Sequence, residues 1–227
     1  MSLKEFAGKL AKDDIDRELV KTIFDSIFTS VIVIALLYFL KLKNVFDFTD
    51  KYGFFLFFAI LSYSLIISAV RQVKVYHEFP CMSGMMIGMT MGMIASFLTG
   101  FYVASTNGMF IGGFFGVAVG ITLGIWNGKC CGVMGSMEGI MAGFMGGLMG
   151  AMTAFMLLND HLKIAGVLVF AISAVIMIKL NYMIFTETKE SERQEQEDHF
   201  FTVALTFILI ALTAWLIVFG PRGGIFQ

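Results

Sequence analysis

Three cysteine thiols and a dense set of methionine thioethers are the residues of this sequence best suited to chemistry. Cys81 follows Pro80, Cys130 and Cys131 are adjacent, and His77 lies four residues before Cys81. Thiolate and thioether sulfurs are soft ligands that favour Cu(I) over hard cations. We therefore predict a soft-metal site, with Cu(I) as its ion, on the three cysteines and His77. Zn²⁺ on the same four residues is the weaker alternative, because the usual C-x2-C pair is missing.

Methionine accounts for 14 of the 75 residues from Met82 to Met156. Residues four apart lie on one face of a helix, and the methionines form ladders at that spacing. The ladder methionines predicted to contact the metal are Met82, Met85, Met89, Met93, Met137, Met141, Met145 and Met149. They are interpreted as a membrane path or reservoir for a monovalent soft ion. The packing interpretation is that flexible methionines fill irregular gaps around glycine.

Glycines recur every four residues in the same region. No hydrophobic effect draws helices together in lipid, so association depends on close contact, and glycine permits the closest approach. In the segment 133–157 the glycines and methionines are offset by two residues, about 200° around a helix. The glycines and methionines of this segment are therefore predicted to lie on opposite faces of its helix. The predicted packing residues are Gly84, Gly88, Gly92, Gly108, Gly112, Gly116, Gly120, Gly124, Gly135, Gly139, Gly143 and Gly147.

The elements that must position these residues are membrane helices. The chain is 58% hydrophobic and 15% charged, whereas a soluble domain is about 45–50% apolar and about 25% charged. We predict an all-α, polytopic membrane protein of about seven spans, each near the ~20 residues a crossing helix needs. The net charge of −1 implies no nucleic-acid partner. The predicted spans are 23–41, 53–71, 82–104, 108–126, 133–157, 163–184 and 200–219.

The distribution of lysine and arginine predicts the orientation. With seven spans, eleven of the sixteen cationic residues fall on the side of the N-terminus and five on the other. The positive-inside rule then places the N-terminus in the cytoplasm and the C-terminus outside, in the cell's inner (cytoplasmic) membrane. The cysteines lie at the cytoplasmic ends of their spans. Because the linkers at 105–107 and 127–131 are short, the third, fourth and fifth spans are predicted to be adjacent antiparallel hairpins.

The chain divides into four predicted segments. A cytoplasmic amphipathic lead-in covers residues 1–22, and a two-helix hairpin covers 23–71. The Gly/Met-rich three-helix unit covers 82–157. The last two helices cover 163–219 and are joined by an acidic cytoplasmic connection at 186–199. Glu138, an acid inside a span, is a candidate ion relay, or a solvated group near the interface.

Three segments carry a resemblance to known proteins: CMSGMMIGMTMGM from Cys81, NGMFIGGFFG from Asn107, and GKCCGVMGSMEGIMAGFMGGLMGAM from Gly128. They resemble a Gly/Met-rich membrane segment of uncharacterised bacterial proteins, some of which carry cupredoxin-like domains. The resemblance covers Cys81 to Met156. It implies the handling of copper or a related soft metal.

Soft-metal binding or transport is the leading prediction for the function. The first alternative is a structural or assembly protein whose glycine ladders dock it to itself, as a homo-oligomer, or to a larger membrane complex. The second alternative is an ion channel lined by the glycine faces. The histidines are scattered, with no nucleophile or cofactor motif near them, so the sequence predicts no enzyme. The lipid bilayer is the one partner that every alternative shares.

Overall fold

The computed structural model describes residues 24–33, 35, 48–75, 80–158, 160–187 and 199–220. The regular secondary structure in these residues is entirely helical. The predicted lead-in at 1–22, His77 and most of the connection at 186–199 lie outside the described residues. The helices are α1 (Phe24–Val33), α2 (Phe48–Val75), α3 (Cys81–Asn107), α4 (Met109–Gly128), α5 (Gly132–Met156), α6 (Leu162–Glu187) and α7 (His199–Phe219).

Five of these helices are long and apolar enough to cross a bilayer, which takes ~20 residues. They are α2, over Tyr52–Lys74, then α3, α4 and α5, and α6, over Leu162–Ile184. The described apolar stretches of α1 and α7, Phe24–Val33 and Val203–Phe219, are shorter. The described residues are therefore those of a helical, multi-pass membrane protein.

Glycine and proline set the boundaries of the Gly/Met-rich helices. The carbonyl of Pro80 accepts hydrogen bonds from the backbone N–H groups of Ser83 and Gly84, at 3.0 and 3.1 Å, and so starts α3. Gly108 (φ 106°) alone separates α3 from α4, and Gly132 (φ 69°) begins α5 after a 3-10 turn at Lys129–Cys131. Both φ values are positive, a region that glycine enters without the steric cost other residues meet. These tight turns make α3, α4 and α5 consecutive antiparallel neighbours.

The sixth predicted span is one continuous helix. α6 runs unbroken from Leu162 to Glu187, and Lys179 does not interrupt it. The Lys179 side chain is exposed, so its cationic end is not buried among the other helices and is able to extend towards the interface.

The three Gly/Met-rich helices form the most closely packed part of the protein, and α2, α6 and α7 pack around α3. Large side chains fill the space between α3 and these outer helices, including Tyr63, Ile66, Phe101 and Tyr102, all almost fully buried. Hydroxyl groups link α2 to α3 within this core. Ser62 Oγ lies 2.9 Å from Tyr102 Oη, and the Tyr63 hydroxyl donates to Thr99 Oγ1 at 3.4 Å.

Candidate functional site

The glycine faces of α4 and α5 meet backbone to backbone in a regular antiparallel register. A Cβ atom added to Gly124 would lie 2.5 Å from the carbonyl oxygen of Gly139, and one added to Gly143 would lie 2.6 Å from the carbonyl carbon of Gly120. Real Cβ atoms essentially never come closer than 3.0 Å to a heavy atom. Four successive glycine pairs cross this interface: Gly116–Gly147, Gly120–Gly143, Gly124–Gly139 and Gly128–Gly135.

Helix α3 contributes one small residue to each of these pairs. Each pair and its α3 residue together form a layer of three residues across the unit. A Cβ on Gly92 would lie 2.9 Å from the Gly139 oxygen, and one on Gly100 would lie 2.7 Å from the Gly147 oxygen. The layers are Gly88 with Gly128 and Gly135, Gly92 with Gly124 and Gly139, Ser96 with Gly120 and Gly143, and Gly100 with Gly116 and Gly147. The interior of the three-helix unit is therefore filled by backbone, with Ser96 as the one side chain in these layers.

The structure places the remaining predicted packing glycines less uniformly. Gly112 lies against Ala104 of α3, where a Cβ would meet the Ala104 side chain at 2.5 Å. Gly84 is buried near the start of α3. Gly108 lies in the turn rather than within a helix, and its positive φ accounts for the glycine there.

Several packing residues were missed from the sequence, although repeats of small residues mark them. Ser96 and Gly100 continue the spacing of Gly88 and Gly92, so a search for small residues at every fourth position would have found both. Gly150 lies off the main ladder of α5, and a Cβ there would meet the backbone of Phe97. It belongs to a second repeat, Ala142, Gly146, Gly150 and Ala154, whose members are all buried, so the same search would have found it as well.

The methionines of α5 lie on the face opposite its glycines, as the spacing predicted. The exposed fractions of the Met137, Met141, Met145 and Met149 side chains lie between 54% and 59%, while Gly135, Gly139, Gly143 and Gly147 are buried. In α3, Met82, Met89 and Met93 are exposed and Met85 is half-buried. The ladders therefore face away from the contact between α3, α4 and α5.

The cysteine end of the unit brings the Cys131 thiol against the backbone of Cys81. The Cys131 thiol donates a hydrogen bond to the Cys81 carbonyl oxygen, with Sγ and O 2.9 Å apart, and lies 3.9 Å from the Pro80 oxygen. Cys81 is the first residue of α3, and Cys131 ends the 3-10 turn before α5. The expectation that the two turns meet at one end of the hairpins is confirmed for these residues.

The surroundings of this cysteine pair are open. Cys81 is exposed and Cys131 is half-buried. Met82 and Met134, each close in sequence to one of the pair, are among the most exposed methionines, at 78% and 66%. Glu138 is half-buried further along α5. This end of the unit therefore carries two cysteines and two exposed thioethers close to them in sequence.

No group of three His, Cys, Asp or Glu side chains is positioned to hold a metal ion within the part of the chain that the structure describes. Two of the four predicted cysteine and histidine ligands fall outside that part, namely His77 and the side chain of Cys130. Of the four, the structure describes the side chains of Cys81 and Cys131.

No protein-family model, curated protein or solved structure matches this chain. Its function has to be inferred from its own residues.

Proposed function

We propose that this protein binds or carries a soft monovalent metal ion, Cu(I), at the end of the three-helix unit where Cys81 and Cys131 meet. The observation that carries the proposal is the 2.9 Å contact between the Cys131 sulfur and the Cys81 carbonyl oxygen, which brings two thiol-bearing residues together. Thiolates select Cu(I) over hard cations. The exposure of Cys81 leaves that sulfur accessible to an incoming ion.

Neighbouring residues extend the proposed ligand set. Met82 and Met134 supply thioethers at the same end of the unit, and Cys130 and His77 are the further candidate ligands from the sequence. The resemblance of Cys81 to Met156 to Gly/Met-rich segments, some of them in proteins with cupredoxin-like domains, supports the same chemistry.

The methionine ladders take a different part in this proposal. The α5 ladder lies on the outside of the three-helix unit. A path for the ion along this ladder would therefore have thioethers on the α5 side, and its other wall would have to come from elsewhere. We assign the ladders to a reservoir for the ion, or to one wall of a path that a second copy or a larger membrane complex completes. The proposed topology has seven spans in the inner membrane, with the N-terminus and the cysteine end in the cytoplasm.

Metal content is the direct test. The protein is purified in detergent under anaerobic, reducing conditions after growth with copper, and copper per chain is measured in the wild type and in Cys130→Ser/Cys131→Ser. We expect near-stoichiometric copper in the wild type and its loss in the double variant. Met177→Leu is the matched control, because Met177 is a fully buried methionine of α6. Copper absent from the wild type, or retained in the double variant, refutes the proposal.

An assembly function is the second candidate, and its partner surface would be the outer face of α4. Phe110 and Phe114 are 84% and 72% exposed on that helix, while the glycine ladders are covered by the chain's own helices. A protein partner would therefore bind at the outer aromatic and methionine face rather than at the glycines. Detergent-resistant complexes that survive Cys130→Ser/Cys131→Ser and disappear in Phe110→Ala/Phe114→Ala would favour this candidate.

The channel alternative requires α3, α4 and α5 to move apart. A Cβ added to Gly124, Gly139 or Gly143 would meet the backbone of the facing helix, so a pore lined by these glycines would require the helices to separate. Conductance that persists after removal of every sulfur ligand would support it.

A further inference from the structure

The cysteine pair has a chemical capacity that is independent of metal binding. We propose that Cys81 and Cys131 form a reversible redox modification site, which a small disulfide of the glutathione class oxidises to an intramolecular Cys81–Cys131 disulfide. The observation behind the proposal is the meeting of an exposed thiol residue with a second thiol across two turns that are far apart in sequence.

The Cys131 sulfur lies close to the backbone of Cys81. The Cys131 sulfur lies 2.9 Å from the Cys81 carbonyl oxygen, and bonds of about 1.23 and 1.52 Å join that oxygen to the Cys81 Cα. The Cys131 sulfur therefore lies within about 5.7 Å of the Cys81 Cα. A disulfide needs the two sulfurs about 2.0 Å apart. The Cys81 side chain extends from that same Cα and is exposed, so rotation about its bonds turns its sulfur towards the Cys131 sulfur, and the turn adjusts until the bond can form.

The reaction proceeds by two thiol–disulfide exchanges. The Cys81 thiolate attacks one sulfur of the external disulfide, forming a mixed disulfide and releasing one small thiol. The Cys131 thiolate then attacks the Cys81 sulfur of the mixed disulfide and releases the second small thiol. Two protein thiols are oxidised to one disulfide, and one external disulfide is reduced to two thiols. Excess small thiol reverses both steps.

The order of the steps follows from exposure. Cys81 is exposed and Cys131 is half-buried, so the external disulfide reaches Cys81 first and Cys131 resolves the mixed disulfide. Cytosolic disulfides are usually transient and catalytic or redox-sensing, which fits a site at the end of the unit assigned to the cytoplasm. The bond would join the start of α3 to the turn before α5 and remove both sulfurs from any metal.

Trypsin gives a direct readout in the full-length protein. The one basic residue between Cys81 and Cys131 is Lys129, which is exposed, so cleavage there separates the two cysteines. The metal-free protein in mild detergent is treated with glutathione disulfide, alkylated, cleaved and run in SDS without reductant. We expect the fragments on either side of Lys129 to remain joined in Cys130→Ser and to separate after reduction.

The cysteine variants distinguish the roles of the two thiols. In Cys131→Ser, joining of the fragments should fall at least several-fold and the Cys81 mixed disulfide should accumulate, as measured by mass spectrometry. Equal joining in Cys131→Ser and Cys130→Ser would overturn the proposal, as would separated fragments in Cys130→Ser. The readout needs no metal, so a protein that forms the bond but binds no copper refutes only the metal proposal. A protein that binds copper without forming the bond refutes only this inference.

Discussion

A single methyl group placed between α4 and α5 tests the layered glycine packing. In Gly124→Ala, the new Cβ would lie 2.5 Å from the Gly139 oxygen, 2.8 Å from its carbonyl carbon and 3.0 Å from its Cα. All three atoms belong to backbone, so no flexible side chain can move aside. Reaching ordinary contact, 3.4 Å, requires the two helices to separate locally by 0.9 Å.

The expected magnitude follows from two opposing effects. Overpacking of a well-packed interior costs about 1–3 kcal/mol, while Gly to Ala in a helix interior gains about 1 kcal/mol in propensity. The matched control is Gly113→Ala on the same helix, whose Cβ would meet Leu148 and Ala151 side chains at 3.5 and 3.6 Å, ordinary contacts. The propensity gain is common to both variants. We therefore expect Gly124→Ala to be less stable than Gly113→Ala by about 1–3 kcal/mol.

Unfolding in mixed micelles of mild detergent and SDS, followed by circular dichroism, measures this difference. Gly113→Ala should be as stable as the wild type or more so. A Gly124→Ala protein as stable as Gly113→Ala would show that α4 and α5 do not pack in the register of the four glycine pairs.

Three further predictions concern other parts of the chain. Gly132→Ala should lower the free energy of unfolding in the same micelle assay by about 1–3 kcal/mol, because Gly132 has a φ of 69° and a ψ of −143°, a backbone conformation that residues other than glycine rarely adopt, although a Cβ there would meet nothing within 4 Å. Tyr102→Phe should cost about 0.6 kcal/mol in that assay, a typical value for a side-chain hydrogen bond between membrane helices, because it removes the bond to Ser62. Met141→Leu should leave the free energy of unfolding within about 0.5 kcal/mol of wild type, because the side chain is exposed, and a fall in bound copper in that variant would show the ladder to be a ligand.

The positions of the five long apolar helices, α2 to α6, and the two-faced character of α5 were predictable from sequence. Apolar runs separated by short polar or glycine-containing segments mark the spans, and an offset of two residues between the glycines and methionines places them on opposite faces. The placement of Cys81 and Cys131 at the same end of the unit followed from the short connections. These features depend on local spacing alone.

The features that depend on register between helices were not predictable. That Ser96 shares a layer with Gly120 and Gly143 follows from how three helices align, which no single helix encodes. The hydroxyl contacts of Tyr63 and Tyr102 join α2 to α3 across other elements, so spacing within either helix does not reveal them. That the Cys131 sulfur meets Cys81 depends on the 3-10 geometry of the turn at Lys129–Cys131.

The single-residue turn at Gly108 and the three-residue turn at Lys129–Cys131 bear on the order in which the protein assembles. Short connections carry a small entropic cost of closure, and membrane helices insert before they associate. Because α3, α4 and α5 are consecutive in the chain, their layers can close as soon as α5 has entered the bilayer, while α6 and α7 are still being synthesised. The three-helix unit would then be a preformed surface on which the later helices dock, and errors in their insertion would leave it intact.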